Sequence, residues 1–249
     1  MTRFDRLASS YEELLRDPLR DRFAGSEPAF FHRRKSDLIR RFFRHQRLTT
    51  SGLCYLDVGC GKGELLRLLQ SDFKRAAGCD ISAGMMQHMT GIETRVQKNA
   101  LQIPFGDAEF DLVTAVCVYH HVPQAARRAL TYEIGRVLRP GGIFCMIEHN
   151  PLNPVTRLIV SRTSVDSDAV LLHAGEARRL VAEAGFAPLE QDYFLYFPSA
   201  LYRYVGQVEA LLAKVPLGGQ YALFSSKQLS QNQDAVRLAV PHIQNAIEK

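Results

Sequence analysis

Residues 56–65 read LDVGCGKGEL: an apolar run ending in aspartate, glycines at 59, 61 and 63, then the opening turn of an apolar helix. A strand that passes through glycines straight into a helix predicts a crossover connection, since the glycines permit the tight turn and the helix must pack back on a sheet. From residue 53 onward the alternation recurs: LCYLDV then ELLRLLQSDF, AAGCDI then AGMMQHMTGI, ETRVQKN, FDLVTAVCV then QAARRALTYEIGRVL, GIFCMIEH then EARRLVAEAGF, LEQDYFLYF, and GGQYALFSS. Strands alternating with helices predict a doubly wound α/β domain, a mostly parallel sheet of seven strands covered on both faces.

Two helical pieces fall outside that rhythm. Residues 1–48 read as an N-terminal helical cap, and SALYRYVGQVEALLAKV (199–215) carries apolar residues at i, i+3, i+4 and i+7 spacing, a helix inserted before the last strand. Both are candidates to cover the carboxyl ends of the strands, where open α/β sheets bind ligands. The expected organisation is a cap at 1–48, a ligand-binding domain at 49–226 with insertions at 149–172 and 197–217, and a tail at 227–249 that reads as a peripheral helix.

With 249 residues, 46% of them hydrophobic, the chain is long enough for one large domain and its core. No run approaches the roughly 18 apolar residues of a membrane span, and the N-terminus lacks the apolar centre of a signal peptide, so a cytoplasmic protein without stable membrane insertion is expected. Five cysteines, none in a CxxC pair, predict free thiols; neither a disulfide nor a metal site is expected. The formal charge of +5 resides in residues 1–50, where 12 Lys or Arg face 7 Asp or Glu. Interleaved acids favour a solvated helix face over a nucleic-acid surface, and no nucleic-acid partner is expected.

The glycine spacing is GxGxG, not the GxGxxG of dinucleotide sites, and no GKS or GKT follows as in a phosphate loop. Asp57 before the first glycine would oppose a phosphate but would stabilise an ammonium, so the ligand should carry a positive group. Asp80, at the end of the second strand and about 20 residues on, can accept hydrogen bonds from both hydroxyls of a ribose. Ser82 would cap the next helix, and Met85, one turn in, could cover an adenine face.

LDVGCGKGEL, GCDISAGM, NALQIPFGDAEFDLV, VYHHV and VLRPGG, in that order, resemble the class I S-adenosylmethionine-dependent methyltransferases, and in particular their small-molecule, ubiquinone/menaquinone-type members. The resemblance is close over residues 53–148, and FDRLASSY (4–11) is similar to the entry segment of many such enzymes. It implies S-adenosyl-L-methionine as cofactor. Asp57, Gly59, Cys60 and Gly61 would then cradle its methionine part and Asp80 its ribose. Ile81 and Met85 would flank adenine, with Asn99 and the backbone of Ala100 reading its amino edge. Val116 and Cys117 would line the sulfonium, Tyr11 would act as a lid, and Lys35, or its neighbours Arg33 and Arg34, would meet the cofactor carboxylate. The last strand, GGQYALFSS, is commonly antiparallel in this fold.

Methyl transfer from a sulfonium needs chiefly alignment of the nucleophile, plus a base if the acceptor is a hydroxyl. His120, which with His121 follows the fourth strand, and His149, after the fifth, are the candidate bases. EHNPLNPVTR (148–157) reads as a loop stiffened by two Asn-Pro steps, offering Asn150, Asn153 and Arg157 to the substrate. Aromatic residues around Tyr196 predict a partly apolar acceptor. The function expected is methyl transfer to oxygen on a small molecule; nitrogen or carbon acceptors, or a binding protein without turnover, are the alternatives.

Overall fold

The structure, a computed structural model, describes residues 2–25 and 29–228. The seven strands are β1 (Cys54–Val58), β2 (Arg75–Asp80), β3 (Glu93–Val96), β4 (Phe110–Val116), β5 (Leu138–His149), β6 (Phe186–Phe194) and β7 (Gln220–Lys227). They form one sheet in the order β3-β2-β1-β4-β5-β7-β6, with β1 to β5 mutually parallel and β7 antiparallel to both its neighbours. This is the predicted mostly parallel, doubly wound sheet. The proposed C-terminal helix lies outside the described residues.

Alternation along the strands separates two cores. Leu56, Val113, Ala115, Phe144 and Met146 face one side, where α7 (Gln124–Val137) supplies Leu130, Ile134 and Val137. Tyr55, Leu112, Ile143, Cys145 and Phe224 face the other, against α4 (Phe30–His45) and α5 (Glu64–Leu69). Helix α4 buries Phe30, Leu38, Ile39, Phe42 and Phe43, each contributing ~1.5–3 kcal/mol of transfer free energy. The Phe42 ring stacks on Phe224 of β7 at 4.1 Å.

Helix α4 therefore belongs to the sheet's covering layer, and the part of the N-terminal segment that roofs the strand ends is α1 (Arg3–Leu7), α2 (Tyr11–Leu14) and α3 (Pro18–Ala24). Three of the arginines of α4 pair with other elements instead of forming a solvated face, while Arg33 and Arg44 are exposed. Arg34 pairs with Glu209 of α10 (Ser199–Leu212) at 2.5 Å and lies over the Tyr202 ring, Arg40 pairs with Asp72 at 2.7 Å, and Arg41 pairs with Asp192 of β6 at 2.5 Å. Part of the excess of N-terminal cations is met by carboxylates that arrive from elsewhere in the chain.

A second correction concerns EHNPLNPVTR. Its latter part is not a stiff loop but the start of α8 (Pro154–Arg162). Pro154 occupies the first helical position, where a missing N–H is harmless, and Asn153 caps it by accepting from Thr156 N at 2.9 Å. Among the described residues no helix is long and apolar enough to cross a membrane.

Candidate active site

The carboxyl ends of β1, β2, β4 and β5, the roof and α8 enclose a cavity of about 1330 Å³. One drug-sized ligand fills roughly 300–1,000 Å³, so two reactants fit side by side.

At its β1 end the glycine loop is already internally bonded. Gly59 N and Cys60 N donate to Cys79 O at 2.8 and 3.1 Å, and Gly61 N donates to Asp80 Oδ2 at 2.9 Å. No nest of free N–H groups is left for a phosphate, which agrees with the spacing argument. Gly59 and Gly61 have φ of 71° and 53°, and a Cβ on Gly59 would meet Val118 at 2.5 Å. The Cys60 thiol faces Gly78 beneath the loop, and burial pushes its pKa up, so this residue offers backbone rather than sulfur.

Two carboxylates look into this end. Asp57 accepts from Thr114 Oγ1 at 2.6 Å; that proton being committed, the Tyr55 hydroxyl donates to Thr114 at 3.0 Å. Burial drives the Asp57 pKa up to about 7, against the Thr114 bond and Lys35. Asp80 accepts from Gly61 N and from Ser82 N (2.8 Å), and burial raises its pKa too. A pair of buried carboxylates short of positive charge fits a ligand bearing an ammonium and a sulfonium, and Asp80 retains acceptor capacity for hydroxyls. Ile81, Met85 and Ala100 line the adjoining wall, with Ser82 Oγ accepting from Met85 N.

Asn99 does not reach the cavity. Its Oδ1 accepts from Leu101 N at 2.9 Å, a short side chain turned onto its own backbone, and it lies on an outer groove with Glu133 and Arg136. Buried Gln97 lines the cavity instead. A pattern matched at Asn99 could not locate it, because the side chain's direction depends on how the chain leaves β3.

Val116 and Cys117 form the floor between the two ends. Cys117 has φ of 57°, unusual for a residue with a Cβ, which re-aims its thiol as β4 ends. Lys35 Nζ donates to its Sγ at 3.8 Å and Gln220 Nε2 at 3.3 Å. Burial raises the thiol pKa, but Lys35 and His149 outweigh it and bring it down to about 7. Iodoacetamide should therefore alkylate Cys117, measured as the rate lost in Cys117→Ser, with half-maximal rate near pH 7, and Lys35→Met should move the midpoint upward. A midpoint at the ordinary thiol value near 8.5 would contradict this environment.

His149 lines the cavity, its Nδ1 3.4 Å from Gln220 Nε2, across a cross-strand pair of β5 and β7. Gln220 was not legible in the sequence, since only the antiparallel register brings it opposite His149. His120, the other candidate base, is engaged: its Nδ1 is 2.6 Å from Glu148 Oε2, and although burial disfavours the cation, Glu148 with Asp166 raises its pKa well above the usual value.

Of the substrate candidates, Asn150 is spent on structure: it is buried, and its amide donates to Pro216 O and Gly218 O at 3.0 and 2.8 Å. Arg157 is exposed on α8 and absent from the cavity wall. Asn153 and Tyr196 are on the wall, but both bond backbone: Asn153 Nδ2 donates to Leu217 O at 2.7 Å and Tyr196 OH to Leu212 O at 2.7 Å. Tyr11 and Lys35 also line the cavity, as does the unforeseen His32, whose Nδ1 is buried without a partner and whose pKa burial lowers to about 3.

The roof is tied down across the glycine-loop end. Asp5 Oδ1 accepts from Ser82 Oγ at 2.7 Å and Gly84 N at 3.2 Å, and Glu12 pairs with Lys62 of the glycine loop at 2.9 Å.

Comparison with known proteins bears on residues 56–146, which match a family described as a methyltransferase domain. The chain is 34% identical over 107 residues to "Probable tRNA methyltransferase 9B" of Bos taurus, 42% of this chain and 22% of that one. It is 33% identical over 97 residues to 27-O-demethylrifamycin SV methyltransferase of Amycolatopsis mediterranei, 35% of each. The chain spans less than half the length of the curated relatives first matched, 22–48%. A SAM-dependent methyltransferase of Thermotoga maritima superposes with a TM-score of 0.63 at 16% identity, covering 90% of this chain and 98% of that one, so the fold is shared.

Proposed function

We propose, from the match of residues 56–146 to a methyltransferase domain, that this chain is an S-adenosylmethionine-dependent methyltransferase that moves the cofactor's methyl group to an oxygen on a partly apolar small molecule. The observation that carries the reading is the glycine-loop end itself: a loop whose Gly59, Cys60, Gly61 and Gly63 N–H groups are bonded within the protein, beside two buried carboxylates. The cofactor would supply an activated methyl at a sulfonium. This chain's residues do the rest: Asp57 faces the ammonium, Asp80 the ribose, Gln97 the adenine edge, and the Cys117 floor sets the methyl beside His149.

The apolar part of the acceptor fits the wall formed by Leu15, Phe23, Phe31, Val155, Ile159 and Leu195. A phenolic or quinone-like ring suits such walls, and His149 is placed to take a hydroxyl proton. A small acceptor is favoured over nucleic acid because Arg34, Arg40 and Arg41, the core of the basic segment, are paired inward. Five unpaired cysteines suit the reducing cytoplasm.

Calorimetric titration with S-adenosylhomocysteine tests the cofactor step, and the absence of binding would end this reading. Asp57→Asn should weaken that binding ~10-fold at pH 8, having lost charge against the ligand's ammonium. The same variant should melt higher at pH 8. A folded pKa of about 7, above the ordinary 3.8, means that ionising Asp57 opposes folding, so stability is lost as pH rises from roughly 4 to 7. Asparagine keeps the Thr114 acceptor and escapes the loss, by roughly 4–8 °C if it amounts to ~2 kcal/mol. At pH 4 the two proteins should melt alike; a lower melting point for the variant at pH 8 contradicts the assignment.

A further inference from the structure

We propose that His120, His121 and Asp166 form a site for a borderline divalent cation such as Zn²⁺, Co²⁺ or Fe²⁺, opening into the acceptor end of the cavity. His120 and His121 sit on the turn after β4, and Asp166 on the short turn after α8; all three line the cavity, with their ligand atoms within 4.8 Å of one another.

The geometry is convergent. Both Nε2 atoms lie 3.5 Å from the same oxygen, Asp166 Oδ1. Ligands bound at about 2.0–2.1 Å in a tetrahedron are separated by roughly 3.4 Å, so these atoms are at the separation a shared cation requires and rather far apart for direct hydrogen bonds. The opposite ring nitrogens each face another carboxylate: His120 Nδ1 is 2.6 Å from Glu148 Oε2, and His121 Nδ1, which has no hydrogen-bond partner, is 3.8 Å from Asp168 Oδ1. The carboxylate behind His120 fixes its orientation and strengthens it as a donor, the arrangement typical around metal-bound histidine.

Two imidazoles and one carboxylate select a borderline first-row ion over Mg²⁺ or Ca²⁺, which take oxygen ligands. Three protein ligands leave a coordination position free, and all three residues line the cavity. The His120 ring is 5.1 Å from that of His149, so an oxygen of the acceptor on the cation would rest beside the candidate base. This role rests on the methyl-transfer reading; the cation site itself does not. The sequence concealed it because Asp166 is 45 residues from His121 and joins only when α8 folds back.

The full chain, stripped with a chelator and free of cofactor, is titrated with Co²⁺ by visible absorption and with Zn²⁺ by calorimetry. One equivalent of Co²⁺ with d–d bands of a four- or five-coordinate ion is expected, and His121→Ala and Asp166→Asn should each weaken binding by 10-fold or more while keeping a cooperative melt. Cys117→Ser should leave it unchanged. No stoichiometric binding, binding equal in both variants, or cobalt bands that vanish in Cys117→Ser would overturn the site and leave the cluster a set of ion pairs. Titrating the same preparations with S-adenosylhomocysteine separates this outcome from failure of the cofactor reading.

Discussion

Asp80→Ala should weaken S-adenosylhomocysteine binding by about 10²–10⁴-fold in calorimetry. An ionised carboxylate has about four acceptor positions. Gly61 N and Ser82 N engage it at 2.9 and 2.8 Å, and its remaining capacity can serve a pair of adjacent hydroxyls. Charge-assisted hydrogen bonds contribute roughly 1.5–3 kcal/mol each, so losing both removes ~3–6 kcal/mol. Alanine also frees Gly61 N and loosens the loop, whereas Asp80→Asn keeps one acceptor oxygen and should fall between the two. Affinity within about threefold of the parent would remove Asp80 from the cofactor site.

His149→Ala should lower kcat by about 10²–10⁴ on an oxygen acceptor identified by methyl release from labelled cofactor, the usual range for a lost general base. S-adenosylhomocysteine affinity should stay within a factor of three, because His149 lies beyond the Cys117 floor from the two carboxylates. His149→Gln, which keeps a polar side chain beside Gln220 but cannot take the proton, should be as slow. If either variant retains more than a tenth of kcat, alignment alone drives transfer and His149 is a wall residue.

The geometry of the glycine-loop end was legible in the sequence because its determinants are local. Asp57, Gly59 and Gly61 lie within five residues, and Asp80 ends the strand that pairs directly with β1. The acceptor end was opaque for the converse reason. Gln220 meets His149 through an antiparallel register that pairs residues 71 apart, and Asp166 meets the histidines through a helix whose proline reads equally well as a loop residue. His120 and Asn150 had the right chemistry at the right strand ends, yet buried partners, Glu148 and the Pro216 and Gly218 carbonyls, had already engaged them. Side-chain type is written in the sequence; prior engagement is a property of the folded core.

The position of β7 bears on the order in which the molecule can be made. Residues 220–227 come last among the strands yet lie inside the sheet, hydrogen-bonded to β5 on one side and β6 on the other. While the chain is being synthesised, β5 and β6 must wait with open edges, the state most prone to pair with another nascent chain. Gly219 and Gln220 also close the cavity beside His149. The chain thus completes its sheet and this wall of the cavity in one late step, and a nascent chain that stalls before residue 220 has neither.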